Sequence, residues 1–376
     1  MVKRFLMISG VLLCAVISAA RAAAQVPVSY ICVEAETRTI LIESNADIKR
    51  PPASMLKMMQ MLLVEEGVQA GKWNYNQQIT ATKHSQNMGG TQVYLKEGES
   101  FSLEQLMKAI CVHSANDASV AVAEGLWGSV DNCLVAMNQR AAELGMLNTR
   151  FYSVHGLPPA DGVSFDQTTA REMAILALKL LKYPKILTWT SMREYALRPT
   201  DKPKESTNKL LKELPECDGL KTGYIRAAGF CLTATAQRNG IRLVAVVMGS
   251  DKTGRFTHTK SLLEQGFQMV TRVQPVQARM PVGKPVPVEK SMDEEVRLLA
   301  RDPIEVIVRV VDADKLTLNV SAPVKLEAPL EAETEIGTVK LMLHGRELGS
   351  SPLILDRSVE KIRLTDYGFG CMGRKE

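Results

Sequence analysis

Apolar and polar positions divide the chain into stretches of different period. In YICVEAETRTILIESN, from Tyr30 to Asn45, Ile, Val and Thr cluster on either side of Ala35–Arg38, which predicts two short strands around a turn. RPPAS interrupts that pattern, and MLKMMQMLLVEEGVQAG then shows helical apolar spacing ended by glycine. Pro51 and Pro52 cannot continue an earlier helix but suit the start of one, so Ser54 falls near a helix N-terminus. SLEQLMKAICVHSANDASVAVAEGLWG opens with Ser102 and Gln105 at capping-box spacing. CLVAMNQRAAELGM and TTAREMAILALKLL continue the helical texture. DGLKTGYIRAAGFCLTATAQRNGIRLVAVVMGS instead reads as three strands with turns at Ala227–Gly229 and Arg238–Gly240, and SLLEQGFQMV as a closing helix. After Val273 the Pro-rich connector QPVQARMPVGKPVPV leads to the β-like runs IEVIVRVV, KLTLNV, TVKLMLHG and SPLIL. These place a boundary near Gln274: a first domain over 25–273, a small β-rich domain over 274–366 and a tail over 367–376.

Residues 1–24 are of another kind. Lys3 and Arg4 precede the apolar run FLMISGVLLCAVISAA and the small residues of RAAAQ, the pattern of a secretory signal peptide cleaved after Ala22 or Ala24. A spanning helix needs about 20 apolar residues, and this run is shorter. The segment carries Lys3, Arg4 and Arg21 and no acid, so three of the five formal positive charges leave with it. The remainder is too small to argue for nucleic acid, and no basic cluster is interleaved with aromatics. With Cys14 removed, Cys32, Cys111, Cys133, Cys217, Cys231 and Cys371 remain; an exported chain permits disulfides, but the spacings and the apolar settings favour mostly free thiols. No His/Cys/Asp cluster has metal-ligand spacing and no phosphate-loop pattern appears, so neither metal nor cofactor is expected.

Candidate chemistry begins at Ser54 and Lys57. Positions i and i+3 share a helix face, which puts the lysine amine within reach of the hydroxyl. Lysine serves as a base only when neutral, a state favoured by burial and by a second cation. By itself Ser-x-x-Lys is better read as part of a solvent-facing helix. The chain, however, also carries Ser114-Ala115-Asn116 and Lys221-Thr222-Gly223, in that order. Together the three form the signature of penicillin-binding proteins and class A β-lactamases.

With these motifs, and with GGTQVYLKEGESFSLEQLMKAICVHSANDAS, LGMLNTRFYSVHGL and TTAREMA between them, the chain resembles the low-molecular-mass penicillin-binding proteins. The resemblance is to serine D-alanyl-D-alanine carboxypeptidases of the penicillin-binding protein 5 type, and it covers about residues 27 to 360. It implies an α+β fold: a β-lactamase/transpeptidase-like domain, its antiparallel sheet flanked by helices, followed by a small all-β domain. It also implies site roles. Ser54 would be the nucleophile, Lys57 its proton acceptor, Ser114 a proton relay, Asn116 a holder of a substrate amide and Lys221 the cation priming Lys57. Thr222 and Arg255 would grip the terminal carboxylate beside Gly223, and the N–H groups of Ser54 and Tyr224 would form the oxyanion hole. Departures from the family pattern are Ala115 for Gly, Tyr224 for His, and Pro51 and Leu56 for Asp and Thr.

The implied substrate is the D-Ala-D-Ala end of peptidoglycan pentapeptide stems, with β-lactams as covalent inhibitors. Rival readings are a class A-like β-lactamase and a non-catalytic peptidoglycan-binding or scaffolding protein. The first needs a deacylating glutamate, and within 155–175 the one glutamate is Glu172, inside a predicted helix. Asp117 reads as a turn residue, His113 as structural or exposed, His155 as a loop organiser, and Met55, Met58, Met59 and Met61 as core. Relatives often end in an amphipathic anchor, whereas RLTDYGFGCMGRKE develops no apolar face. The expected location is therefore periplasmic or otherwise extracytoplasmic, soluble or peripheral to the membrane. The β domain would either hold the enzyme off the membrane or contact other wall enzymes.

Overall fold

The computed structural model describes residues 27–363; the signal-peptide segment, Cys371 and the tail lie outside the described residues. A five-stranded antiparallel sheet organises the first domain, in the order Ile40–Ser44, Ser29–Glu34, Ile241–Ser250, Gly229–Arg238, Cys217–Ile225. Successive side chains of a strand point to opposite faces, and the central strand shows this directly. Its Val244, Val246 and Met248 enter a core shared with the helices, while Leu243, Ala245 and Val247 enter a second core on the other face. Helix Gly254–Met269 covers the second face. The helices Lys57–Gln69, Leu103–His113, Asn116–Trp127, Val130–Glu143 and Ala170–Leu180 build the first.

Local signals account for most of these elements. Ser102 Oγ accepts from Gln105 N (3.2 Å) and Gln105 Oε1 accepts from Ser102 N (2.9 Å), so the capping box forms as expected. The turns expected at 35–38, 227–229 and 238–240 join the strands anticipated around them. Met55, Met58, Met59 and Met61 are all fully buried, which makes them core. Ser54 lies at a helix N-terminus as expected, in a 3-10 turn, Ala53–Leu56, that runs directly into the α-helix. One boundary changes. The closing helix starts at Gly254, several residues before SLLEQGFQMV, because that first turn is polar and carries no apolar period.

Strand Val270–Val276 leaves this helix and pairs antiparallel with Ile304–Arg309, so β structure begins slightly before Gln274. A third core, from Val276 to Val359, is enclosed by a four-stranded sheet and a three-stranded one. Within the Pro-rich stretch, Val286–Glu289 forms a strand against Glu295–Val296, with Pro287 where no ladder N–H is needed. The five described cysteines, Cys32, Cys111, Cys133, Cys217 and Cys231, are free and buried, and burial raises each thiol pKa to about 11 or 12. Among the described residues no helix is long and apolar enough to cross a membrane.

Candidate active site

Three elements converge on Ser54. The Ser54 turn follows Pro52, whose backbone is already helical, and its first residue, Ala53, takes the left-handed conformation (φ 48°). A non-glycine residue held there stores about 1–3 kcal/mol, which the surrounding packing must offset. That packing is close. A Cβ on Gly223 would come 2.6 Å from Pro52 O, and one on Gly156 would come 2.4 Å from Ala53 C and O. Glycine in K-T-G therefore lets the edge strand Cys217–Ile225 lie against the Ser54 turn, and Gly156 brings the 153–157 loop against it from another side. Gly156 also has φ 80°. Gly156→Ala is expected to lower stability by about 2–4 kcal/mol and to slow acylation by labelled penicillin. Gly145 has φ 76° with open space around it, so Gly145→Ala should show only the smaller left-handed penalty in the same melts.

At the centre lies Lys57, fully buried. Its Nζ is 2.9 Å from Ser54 Oγ, 2.7 Å from Asn116 Oδ1 and 2.8 Å from the backbone oxygen of His155. Ser54 Oγ can also donate to His155 O at 3.2 Å. The Asn116 amide is oriented by its other end, since Nδ2 donates to Gly89 O (2.8 Å) and leaves Oδ1 for the lysine. Asn116 begins helix Asn116–Trp127, and its own N–H donates to Thr91 O. Ser114, buried, occupies the junction between that helix and Leu103–His113 in the left-handed region (φ 64°). Like Ala53, it is a strained non-glycine residue at the cleft.

Burial lowers the Lys57 pKa well below the ordinary lysine value, and the charge of Lys221 lowers it further; Asp166 and Asp117 oppose the shift. Lys221 is also buried, and for the same first reason its pKa falls to about 7. Lys57 feels the charge of Lys221, whereas burial, Cys111 and Arg255 govern Lys221. The second cation that the chemistry demanded is therefore in place.

On the strand side, Thr222 Oγ1 donates to Thr207 Oγ1 at 2.7 Å, and the half-exposed Tyr224 ring stacks on Phe230 with centroids 4.0 Å apart. Arg255 Nη1 reaches Gly223 O at 3.4 Å while its guanidinium lies over Phe230 and Phe256. Its Nε is buried and has no hydrogen-bond partner among the described residues. Ser54, Lys57 and Asn116 thus meet in one hydrogen-bonded cluster; Lys221 Nζ donates to Thr222 O (3.2 Å) and lies near enough for its charge to act on Lys57, with Gly223 and Arg255 in contact at the rim.

Other expectations sort themselves by their partners. Asp117 is buried and its carboxylate accepts from the N–H groups of Val93, Leu95 and Ala118, a structural role. His113 is buried and bonds to Tyr195 O. Glu172 accepts from Asn148 N (2.8 Å) and Thr149 Oγ1 (2.5 Å), so its oxygens are committed to the 148–149 turn. Sequence reasoning missed two participants. One is the backbone oxygen of His155, which a side-chain motif does not encode. The other is Asp166, a buried carboxylate beneath the His155 loop; its one signal is an acid isolated in VSFDQTT.

Known proteins share this arrangement at the level of sequence and fold. Residues 17–252 match the family described as D-alanyl-D-alanine carboxypeptidase, peptidase S11, and residues 268–361 match the C-terminal domain of penicillin-binding protein 5. Arg255 falls between the two matched ranges. The chain is 33% identical over 350 residues to the D-alanyl-D-alanine carboxypeptidase DacF of Bacillus subtilis, covering 92% of this chain and 89% of that protein. The crystal structure of penicillin-binding protein 5 from Haemophilus influenzae superposes with a TM-score of 0.67 at 26% identity, covering 90% of this chain and 98% of that one. Penicillin-binding protein D2 of Listeria monocytogenes, in its ampicillin-bound form, aligns with a TM-score of 0.58 at 30% identity, over 64% of this chain and 97% of that one. With its three motifs folded into one cluster and both domains matched, the chain belongs to the D-alanyl-D-alanine carboxypeptidase family, peptidase S11.

Proposed function

We propose that this protein is an exported serine carboxypeptidase that removes the terminal D-Ala from peptidoglycan pentapeptides through an ester on Ser54. One observation carries the reading: the hydrogen-bond inventory around Lys57. Asn116 Oδ1 and His155 O can only accept, so a neutral amine donates its two protons to them. Its lone pair is then left facing Ser54 Oγ, 2.9 Å away, and takes the hydroxyl proton. Ser54 Oγ attacks the carbonyl carbon of the penultimate D-Ala. The backbone N–H groups of Ser54 and Tyr224 hold the resulting oxyanion. The C–N bond breaks, the departing D-Ala amine receives a proton through Ser114, and Asn116 steadies a substrate amide. Thr222 and Arg255 bind the terminal carboxylate. A water molecule then cleaves the ester and restores Ser54.

A β-lactam imitates the D-Ala-D-Ala amide with a strained one whose leaving nitrogen stays tethered to the acyl group, so it acylates Ser54 and leaves slowly. The committed oxygens of Glu172 favour this outcome over rapid penicillin hydrolysis. A peptidoglycan substrate puts the enzyme outside the cytoplasm, in accord with the basic-then-apolar N-terminal segment. We assign the β-rich domain either to holding the catalytic domain off the membrane or to contact with other wall enzymes.

The test is an assay on purified mature protein with a pentapeptide muropeptide, read as free D-Ala, beside labelled penicillin followed with time. Release of D-Ala with long-lived penicillin adduct is expected. Rapid penicillin turnover without D-Ala release would establish the β-lactamase instead, and neither reaction would leave a fold retained for binding.

A further inference from the structure

The Lys57 cluster rests on a carboxylate that no catalytic motif contains. Asp166, nearly fully buried, accepts from Tyr152 N (2.7 Å), Ser153 N (2.9 Å) and Ser153 Oγ (2.8 Å). Ser153 Oγ in turn accepts from Gly156 N at 2.8 Å. The carboxylate thereby fixes both ends of the short turn whose middle residue, His155, presents its backbone oxygen to Lys57 and Ser54. Few devices could hold that oxygen otherwise, since the loop must pass within van der Waals contact of Ala53 at Gly156.

We propose that Asp166 is a positioning residue for the acylation step: through Ser153 it holds the His155 carbonyl on Lys57, and its carboxylate favours the ammonium form of that amine. This rests on the reading of Lys57 as the proton acceptor. The charges around Lys57 come from every side. Lys221 faces it from the sheet edge, Asp117 from the start of helix Asn116–Trp127, and Asp166 from the loop; the His155 ring belongs to that same loop, and Arg255 acts on Lys221. Asp117 serves the 93–95 segment, on the other wall, through the N–H groups of Val93 and Leu95, and its own helix through that of Ala118. Burial raises the Asp166 pKa, while its bonds to Tyr152 and Ser153 and the charge of Lys57 oppose that rise; in its ionised form it combines a charge that opposes Lys221 with a mechanical tie to an atom touching the amine. Removing a negative charge from beside an ammonium makes the proton easier to lose, so the Lys57 titration moves to lower pH.

Two variants separate charge from tie. Asp166→Asn keeps an oxygen to accept from the Tyr152 and Ser153 N–H groups and removes the charge. Ser153→Ala keeps the charge and cuts the link to Gly156 N. The second-order rate of acylation by labelled penicillin is followed from pH 5 to 10 in both, beside the wild type and Ser54→Ala. The acid limb of Asp166→Asn is expected at lower pH than in the wild type. Ser153→Ala should keep the limb in place with its plateau reduced about tenfold, as a displaced catalytic contact does. A limb left unmoved in Asp166→Asn overturns the electrostatic role, whatever the plateau. Should that variant fail to fold, a Ser153→Ala plateau equal to wild type overturns the positioning role. A wild type with no acid limb, or labelling that survives Ser54→Ala, overturns the Lys57 reading itself and this proposal with it.

Discussion

Ser54→Ala is expected to abolish D-Ala release and to leave no covalent penicillin adduct by mass spectrometry. Loss of a serine nucleophile costs on the order of 10⁶ in kcat where the residues act as one unit. The same change should barely disturb the fold. Ser54 is half-buried, and its hydroxyl touches only Lys57 Nζ and His155 O, which keep each other at 2.8 Å. The melting temperature should therefore stay within the range of about 1 kcal/mol that one hydrogen bond contributes. Residual release near the wild-type rate would mean that the ester does not form on Ser54. A folded variant with no release assigns the nucleophile.

Much of this site was legible from residue types alone, and the reason is chemical. A serine needs a base, a lysine base needs burial and a second cation, and Lys57 and Lys221 answer to that demand. The helices and the three-strand run were legible for a different reason. Their apolar periods are long and their ends carry explicit signals, as at Ser102 and Gln105. What stayed hidden was whatever depends on backbone atoms or on contact between distant segments. The His155 oxygen is supplied by a peptide group, so no side chain advertises it. Asp166 acts two hydrogen bonds away from Gly156, and a scan of the 155–175 stretch for a deacylating glutamate passes over it. The strand at Val286–Glu289 was masked by Pro287, which fits because the short strand leaves some N–H positions without a ladder partner. Gly156 looks like an ordinary turn residue, and Gly223 like a motif glycine with no stated packing role, until the Ser54 turn is found packed against them.

Lys57→Met is expected to reduce D-Ala release by about 10²–10⁴-fold, the usual contribution of a positioned general base. It should also make the protein more stable, and the two effects together test the electrostatics of the site. The wild-type fold must hold Lys57 with a pKa well below 10.5, so at neutral pH folding strips or destabilises a proton that the unfolded chain would keep. Where the unfolded state binds more protons, stability rises with pH. For Lys57 that window runs from its folded pKa up to 10.5. Methionine fills similar space and titrates nowhere. It forfeits the bonds to Asn116 Oδ1 and His155 O, a loss of about 1–3 kcal/mol for a buried acceptor left alone, although Ser54 Oγ can still serve His155 O. The avoided proton loss grows by about 1.4 kcal/mol for each pH unit below 10.5 within the window, so it overtakes that loss a few units down. The advantage of Lys57→Met in melting temperature should therefore widen as pH falls from 10 towards neutrality. Lys221 titrates in both proteins and cancels in the difference. A gap that stays constant with pH would show that Lys57 is not held in a strongly shifted state, and an inactive but equally stable variant would leave the base without its electrostatic origin. A widening gap beside lost activity would tie the function of this cleft to the stability that the buried amine costs the fold.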